Sequence, residues 1–168
     1  MILNRADPRP LLLVDVDGVL NPWLADSCPD GYNEYDFFPD ERVLLSPGHG
    51  EMLNSLAPAY ELVWATAWEH RANQLICPVL EMPELPVIEF ALDGRDPFFR
   101  KLPAVIDAIG ERPCAWIDDE HQPDHYAWAL QRAFPTLLLD IDPAEGLTRE
   151  VVATLTDWAA SLRESTQP

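Results

Sequence analysis

Short apolar runs alternate with longer amphipathic stretches along most of the chain. Four consecutive apolar residues over 11–14 predict a first strand, extending to about residue 16, that is buried on both faces. Further strands are predicted over 61–66, 86–90, 114–117 and 136–139, and helices over 46–56, 69–80, 100–109, 123–134 and 147–162. Because strands and helices alternate, the pattern predicts an α/β fold with a mainly parallel five-stranded sheet covered by helices on both faces.

The segment after the first strand is of a different kind. Residues 21–45 are rich in Asp, Pro, Gly, Tyr and Phe, which favours a flap or irregular hairpin. Its aromatic side chains could either close over a site or pack against the fold; they are Trp23, Tyr32, Tyr35, Phe37 and Phe38.

Composition limits the class of protein. The 168 residues are 48% hydrophobic, which fits a single domain over 1–168. The sequence contains no run of 18 apolar residues, so no membrane span is predicted. The net charge of -18 disfavours non-specific binding to nucleic acid, although a metal ion can reverse the local sign for a small phosphorylated substrate. No signal peptide is expected, and the three widely spaced cysteines favour a reducing, cytoplasmic setting.

Polar residues follow several of the predicted strands at their carboxyl ends. Asp15 and Asp17 end the first strand on one side of the chain, and Gly18 then allows a sharp turn. Thr66 ends the second strand, and an acidic pair over 118–119 ends the fourth. Ligands bind outside the carboxyl ends of parallel strands, so these residues are expected to form one site. Paired carboxylates are costly without a cation or a proton between them, which predicts a divalent metal.

These residues resemble the motifs of the haloacid dehalogenase-like (HAD) superfamily of phosphohydrolases and phosphotransferases. The Asp-x-Asp segment over 15–19 matches the first motif, Thr66 the second, Lys101 the third, and the pair over 118–119 the fourth. The likeness spans about residues 11–140, and segment 62–69 is also similar to HAD domains associated with RNA repair proteins. It implies a three-layer Rossmann-like sandwich. The intervals between motifs are too short for a folded cap, so a capless member is expected.

The resemblance also implies a mechanism, that of a Mg²⁺-dependent phosphatase with an aspartyl-phosphate intermediate. Asp15 would be the nucleophile, and Asp17 would donate and accept the proton. Thr66 and Lys101 would hold the phosphoryl oxygens, with Gly18 and Trp68 beside the substrate.

The expected Mg²⁺ ligands also come from the resemblance. They are Asp15, the backbone carbonyl of Asp17, and Asp118, while Asp119 would bind through water or orient Lys101. The choice between the last two carboxylates as the direct ligand stays open.

Several alternatives remain at this level. Arg100 could replace Lys101 as the phosphate-binding base, and Trp68 could be a core residue instead of a wall of the site. His121 and His125 have the spacing of a helical metal pair, but Pro123 between them favours surface or capping histidines. The motif order excludes a signalling receiver, in which the lysine follows the other motifs.

The last alternative concerns function. The chain could be a phosphate-binding or regulatory module whose site is inactive. As an enzyme, its substrate would be a phosphorylated small molecule or a phosphorylated nucleic-acid end.

Overall fold

A parallel sheet forms the centre of the fold. The computed structural model describes residues 3, 7–90 and 101–164. The strands of its four-stranded sheet are β1 (Leu11–Val14), β4 (Glu61–Trp64), β5 (Cys114–Asp118) and β6 (Thr136–Asp140). Their order in the sheet is β4-β1-β5-β6, and all neighbouring strands are parallel. The mixed α/β class and the mainly parallel sheet agree with the sequence-based expectation.

Two further strands of the described residues lie outside this sheet. Strands β2 (Asn33–Phe38) and β3 (Glu41–Leu45) pair antiparallel, with an irregular register between Tyr35 and Phe38. The two residues between the strands form the turn, and Asp40 adopts φ 63°, a conformation that Asp tolerates better than most residues. This hairpin, residues 33–45, makes up the second half of the segment for which a flap was expected.

Helices cover both faces of the sheet. They are α1 (Gly48–Leu56), a π-helical turn over Ala72–Ile76 that continues into α2 (Cys77–Val79), α3 (Leu102–Ile109), α4 (Pro123–Gln131) and α5 (Arg149–Glu164). Alternate residues of β1 pack into separate cores, because successive side chains of a strand point to opposite faces. Leu12 packs in the core that contains Leu53 of α1 and Leu155 of α5, and Leu13 in the core that contains Val105 of α3.

The prediction of a fifth strand in the main sheet is wrong for the described residues. Segment 86–90 makes only one isolated bridge, between Val87 and Trp64, through hydrogen bonds from Trp64 N to Pro86 O and from Ile88 N to Trp64 O. Pro86 has no N–H group to extend the ladder toward the amino end. The segment therefore covers the edge of β4 without becoming a strand.

The helix predicted over 69–80 is also different in the structure. Its central part is the π-helical turn, and the backbone N–H of Cys77 donates to the carbonyl of Ala72, five residues earlier. Pro78 follows directly; it lacks an N–H, and its ring would collide with a carbonyl four residues before it in a regular α-helix. A wider turn avoids that collision. No helix among the described residues has the length and apolar character required to cross a membrane.

Candidate active site

Asp15 and Asp118 lie side by side at the carboxyl edge of the sheet. The paired register of β1 and β5 ends at Val14 and Ile117, and Asp15 N extends it by donating to Ile117 O at 3.2 Å. Both carboxylates are buried, with 5% and 1% of the residue exposed respectively. Because β1 is buried on both faces, Asp15, which follows it directly, also lies in the protein interior.

Lys101 compensates the two buried carboxylates. Its Nζ contacts Asp15 Oδ2 and lies 2.7 Å from Asp118 Oδ2. Burial raises the pKa of Asp15 to about 7, and Asp118 adds to the rise, while Lys101 acts in the opposite direction. Burial alone would lower the pKa of Lys101, but the two carboxylates outweigh it and raise that pKa above its usual range. Removing Lys101 would leave like charges together in a low-dielectric environment.

Asp119 completes a cluster of oxygen ligands. One carboxylate oxygen from each of Asp15, Asp118 and Asp119 lies within 4.8 Å of the others. Gly18 approaches this cluster so closely that a Cβ there would lie 2.1 Å from Asp119 Cγ, and its φ of 72° is itself unfavourable for other residues. Mg²⁺ prefers hard oxygen ligands such as these carboxylates. The donor set therefore fits this ion, and the requirement for glycine at position 18 has a steric explanation.

Asp17 points to different partners from the other three carboxylates. Its Oδ1 accepts a hydrogen bond from Asn21 Nδ2, and its Oδ2 accepts one from Trp68 Nε1, both at 2.8 Å. Asp17 is partly exposed, whereas the ring of Trp68 is 8% exposed and packs against Phe38. The side chain of Asp17 is thus held at the edge of the cluster, which separates it from the proposed metal ligands.

Thr66 is buried one residue past the point at which β4 stops pairing with β1. Ala65 N still donates to Val14 O at 2.9 Å, and Thr66 is 1% exposed. Its Oγ1 accepts a hydrogen bond of 3.3 Å from Trp68 N, as expected where a strand turns into the following segment. Thr66 and Asp15 consequently end neighbouring strands at the same edge.

Tryptophan N–H groups hold three of the site carboxylates, which sequence reasoning did not foresee. Trp68 donates to Asp17, Trp116 donates to Asp118 Oδ2 at 3.1 Å, and Trp23 donates to Asp119 Oδ2 at 3.2 Å. Trp23 and Trp68 lie far from their acceptors in the chain, so no spacing links these two pairs. Trp116 lies two residues before Asp118 on β5, a spacing that places both side chains on one face of the strand. Trp68 was expected either in the core or at the site. In the structure it belongs to the hydrophobic core and also donates a hydrogen bond to Asp17 at the site.

A cavity of about 430 Å³ opens beside Asp17. Residues from the loop after β1, from β3 and from the turn after β4 line it: Asp17, Asn21, Trp23, Glu41, Arg42, Val43 and Trp68. Its size lies in the range of about 300–1,000 Å³ that is typical of small-molecule sites. Arg42 and Glu41 were not candidates in the sequence analysis, because they belong to a hairpin whose position relative to the sheet could not be derived from the pattern.

The histidine pair packs around Trp116. His121 Nδ1 lies 3.3 Å from His125 Nδ1, and the ring of His125 stacks on Trp116 with centroids 4.8 Å apart. His125 is 5% exposed, so the expectation of a surface histidine is wrong for this residue. Among the residues that the structure describes, the only metal-compatible group found is the one formed by Asp15, Asp118 and Asp119. Arg100, the alternative to Lys101, lies outside the described residues.

A known protein family matches most of this chain. The model of the family described as the HAD domain in Swiss Army Knife RNA repair proteins matches residues 11–152. The matched range contains every site residue considered above. No curated protein is found to match the chain. The chain therefore belongs to the family of HAD domains found in Swiss Army Knife RNA repair proteins, which confirms the resemblance inferred from its motifs.

Proposed function

We propose that this protein is a Mg²⁺-dependent phosphatase that works through an aspartyl-phosphate intermediate. The observation that carries the proposal is the convergence of Asp15, Lys101 and Asp118 at one sheet edge, with Asp119 completing an oxygen cluster. Families of HAD domains are generally hydrolases, which supports the reaction class. The chain has a nucleophilic carboxylate, a cationic side chain in contact with it and a second carboxylate nearby, as this chemistry requires.

In the first half of the proposed reaction, Asp15 attacks the phosphorus of a phosphate monoester. A bond forms between an Asp15 carboxylate oxygen and phosphorus, and the bond from phosphorus to the ester oxygen breaks. Asp17 gives its proton to the departing ester oxygen, which leaves as an alcohol. Hydrogen bonds from Asn21 and Trp68 orient Asp17 where it lines the cavity, into which the alcohol would leave.

In the second half, water replaces the carboxylate on phosphorus. Asp17, now without its proton, accepts one from the attacking water, and the bond from phosphorus to Asp15 breaks. The products are inorganic phosphate and the regenerated Asp15 carboxylate. The same residue therefore serves as acid and then as base, so each cycle ends with both carboxylates in their starting states.

The cations in the site offset the repulsion between phosphate and carboxylates. Asp15, Asp118 and Asp119 supply the side-chain oxygens that would hold Mg²⁺, with the carbonyl of Asp17 as a further proposed ligand. When bound, this ion neutralises charge on the phosphoryl oxygens and the carboxylates. Lys101 and Thr66 would stabilise the phosphoryl oxygens as charge redistributes in the transition state.

We further propose that the chain acts as one domain without a cap. Between β1 and β4 the described residues form only the hairpin and α1, and between β4 and residue 90 only the π-helical turn and α2. An open site of this kind suits a phosphate at the end of a larger molecule. The family description favours a phosphorylated nucleic-acid end over a phosphorylated small molecule.

The test is Mg²⁺-dependent release of phosphate by the purified chain from an aryl phosphate and from phosphorylated oligonucleotides. A chelator should abolish the reaction, and Asp15→Asn should lower kcat by at least about 10³-fold, because the nucleophile is lost. Asp140→Asn is the matched control. Asp140 pairs with Asp118 in the register of β5 and β6, but it is exposed and hydrogen-bonded to Tyr126.

Two outcomes would contradict the proposal. Full activity in Asp15→Asn would exclude this residue as the nucleophile. A folded protein that binds phosphate but releases none from any substrate would instead support the alternative, a phosphate-binding or regulatory module with an inactive HAD-like site.

A further inference from the structure

The cavity beside Asp17 borders the position of the leaving group. In the proposed reaction, Asp17 protonates the ester oxygen, so the organic part of the substrate must lie on its solvent side. Asp17 itself lines the cavity, together with Trp23, Trp68 and Arg42 of β3. We propose that this cavity is a nucleotide subsite, in which Trp23 stacks on the base next to the scissile phosphate and Arg42 binds the following phosphate. This inference rests on the proposed function and adds the residues that select the substrate.

Trp23 is an exposed aromatic residue that is held in place. Its exposed fraction is 49%, so about half of a large apolar surface faces solvent. Its Nε1 nonetheless donates to Asp119 Oδ2, which fixes the indole relative to the carboxylate cluster. An exposed and oriented indole provides a platform for a planar group, and bases of any sequence can stack on it.

Trp68 forms a more rigid part of the same cavity. Its ring packs edge-on against Phe37 and Phe38 of β2, with centroids 6.3 Å and 4.9 Å away. Its Nε1 is bound to Asp17. The wall on this side is therefore fixed both by the hairpin and by the proposed proton donor, so a leaving group in the cavity has a defined position relative to Asp17.

Arg42 supplies a positive charge in an acidic protein. It donates a hydrogen bond to the carbonyl of Ala25, which ties β3 to the loop that carries Trp23. Within the described part of the chain, Arg42 makes no ion pair with a carboxylate. Its guanidinium therefore keeps donors for an anion, and guanidinium groups match phosphate oxygens in geometry and charge.

Together these features select among phosphorylated compounds. An oriented indole favours a leaving group with a planar ring, and a cation in the same cavity favours a second anionic group beyond the scissile phosphate. A nucleotide followed by a phosphodiester satisfies both requirements. Glycerol phosphate satisfies neither, since it has no ring and no second anionic group.

The test compares kcat/KM for a dinucleotide with a terminal phosphate, a mononucleotide and glycerol phosphate, all with Mg²⁺. Both 5′- and 3′-phosphorylated forms are used. The unaltered protein should prefer the dinucleotide over glycerol phosphate by on the order of 10-fold or more. Trp23→Ala should remove most of that preference. Arg42→Ala should reduce the preference for dinucleotide over mononucleotide by on the order of 10-fold.

Trp23→Phe separates stacking from an effect on Asp119. Phenylalanine keeps an aromatic face but has no N–H for Asp119, so a stacking role predicts that most of the preference survives. If Trp23→Ala and Trp23→Phe slow all three substrates equally, Trp23 acts through Asp119 and the subsite is wrong. Leu24→Ala and Arg163→Ala are matched controls, because both residues are exposed and neither lines the cavity. Both should leave the ratios unchanged.

The remaining outcomes distinguish this inference from the proposed function. Equal kcat/KM for all three substrates in the unaltered protein would overturn the subsite while leaving the phosphatase intact. If nothing is hydrolysed, calorimetric titration with the dinucleotide decides. Binding that weakens by on the order of 10-fold in Trp23→Ala would support the subsite in a non-catalytic protein, and no binding would overturn it.

Discussion

Indole N–H groups donate hydrogen bonds to three carboxylates of a site that is expected to bind a metal. An N–H donor orients a carboxylate and stabilises its charge without adding a formal charge of its own. Trp68 and Trp116 do this for Asp17 and Asp118 from partly or fully buried positions. In a protein with net charge -18, this arrangement orders acidic side chains while leaving the positive charge to Lys101 and to the proposed metal ion.

Trp68→Phe tests this role for Asp17. The variant keeps a ring that can pack against Phe38 but removes the N–H that Asp17 accepts. Loss of one hydrogen bond to a charged group corresponds to about 1.5–3 kcal/mol, so we expect kcat to fall by at least about 10-fold with a smaller change in KM. Steady-state kinetics with an aryl phosphate measures both constants.

Trp64→Phe is the matched control for that experiment. Trp64 Nε1 also donates at 2.8 Å, but to Asn73, away from the carboxylates. Both variants should lower the thermal midpoint of unfolding, whereas only Trp68→Phe should lower kcat. Equal losses of kcat in the two variants would mean that the effect of Trp68 is one of folding stability alone.

The site residues that sequence could identify are those whose place follows from the strand pattern. Asp15, Thr66 and Asp118 each end a strand, so parallel pairing alone brings them to one edge. Trp23 lies in the loop after β1 and Arg42 in the hairpin, and their positions depend on how the loop and the hairpin fold back on the sheet. Such long-range contacts have no periodic signal, which is why the carboxylates were predictable and the cavity was not.

At the scale of elements, helix α1 packs so closely on the segment after α2 that there is no room for a side chain at Gly50. A Cβ on Gly50 would lie 1.9 Å from the carbonyl oxygen of Leu80, whereas one on Gly48 would meet only Ser46 Oγ at 3.4 Å. Gly50→Ala should therefore lower the free energy of unfolding by about 1–3 kcal/mol, since backbone must move. Gly48→Ala, on the same helix, should be neutral or raise it by up to about 1 kcal/mol.

Chemical denaturation of the two alanine variants measures the difference directly. Equal stability would show that α1 and the Leu80 backbone separate without cost, so that their close approach does not stabilise the fold. The pair also controls for helix propensity, because both variants replace glycine by alanine in one helix.

Helix α1 also carries a buried histidine that links it to the loop before the hairpin. His49 is 2% exposed, and its Nε2 lies 3.1 Å from Tyr32 Oη. Burial lowers the pKa of His49 from 6.5 to about 4. Between pH 4 and pH 6.5, His49 therefore binds a proton more readily in the unfolded chain than in the folded protein. The stabilising effect of the neutral ring is complete above pH 6.5 and is lost as the pH falls toward 4.

The expected loss over that interval is about 3 kcal/mol in the free energy of unfolding. His49→Gln keeps a hydrogen-bonding side chain but cannot titrate, so it should remove most of this dependence. His70→Gln alters an exposed histidine and should preserve it. Denaturant titrations of all three proteins at both ends of the interval measure the slopes, and an unchanged slope in His49→Gln would assign the acid sensitivity to other groups.

The elements themselves were predictable where apolar periodicity decides them. Four consecutive apolar residues over 11–14 predict a strand that is buried on both faces. In the structure these residues form β1, which lies inside the sheet between β4 and β5. Prolines set the limits of such reasoning. Pro86 reduced a predicted strand to one bridge, and Pro78 accompanies a π-helical turn in place of a regular helix. Both effects depend on neighbouring backbone, which a pattern of apolar residues does not describe.

For the whole molecule, net charge and proposed substrate have the same sign. The chain has 29 acidic and 11 basic residues, and a polynucleotide brings further negative charge. Typical nucleic-acid-binding proteins lose affinity as salt rises, because their cations release counterions from the phosphate backbone. For the proposed substrate the long-range interaction would be repulsive, and Arg42 and Lys101 would attract it only locally.

Salt should therefore accelerate reaction with a long substrate instead of slowing it. Raising NaCl from about 50 to about 200 mM shortens the Debye length from about 14 Å to about 7 Å, so kcat/KM for a phosphorylated oligonucleotide of about 20 nucleotides should rise by roughly 2- to 5-fold. A mononucleotide carries less charge and should respond less, which makes it the matched control. Mg²⁺ is held at one saturating concentration in all assays. The difference in salt response between the two substrates then reports the electrostatic effect of the whole protein's charge. A steep fall with salt for the oligonucleotide alone would mean that a cationic surface outweighs the net charge and guides the polynucleotide to the site.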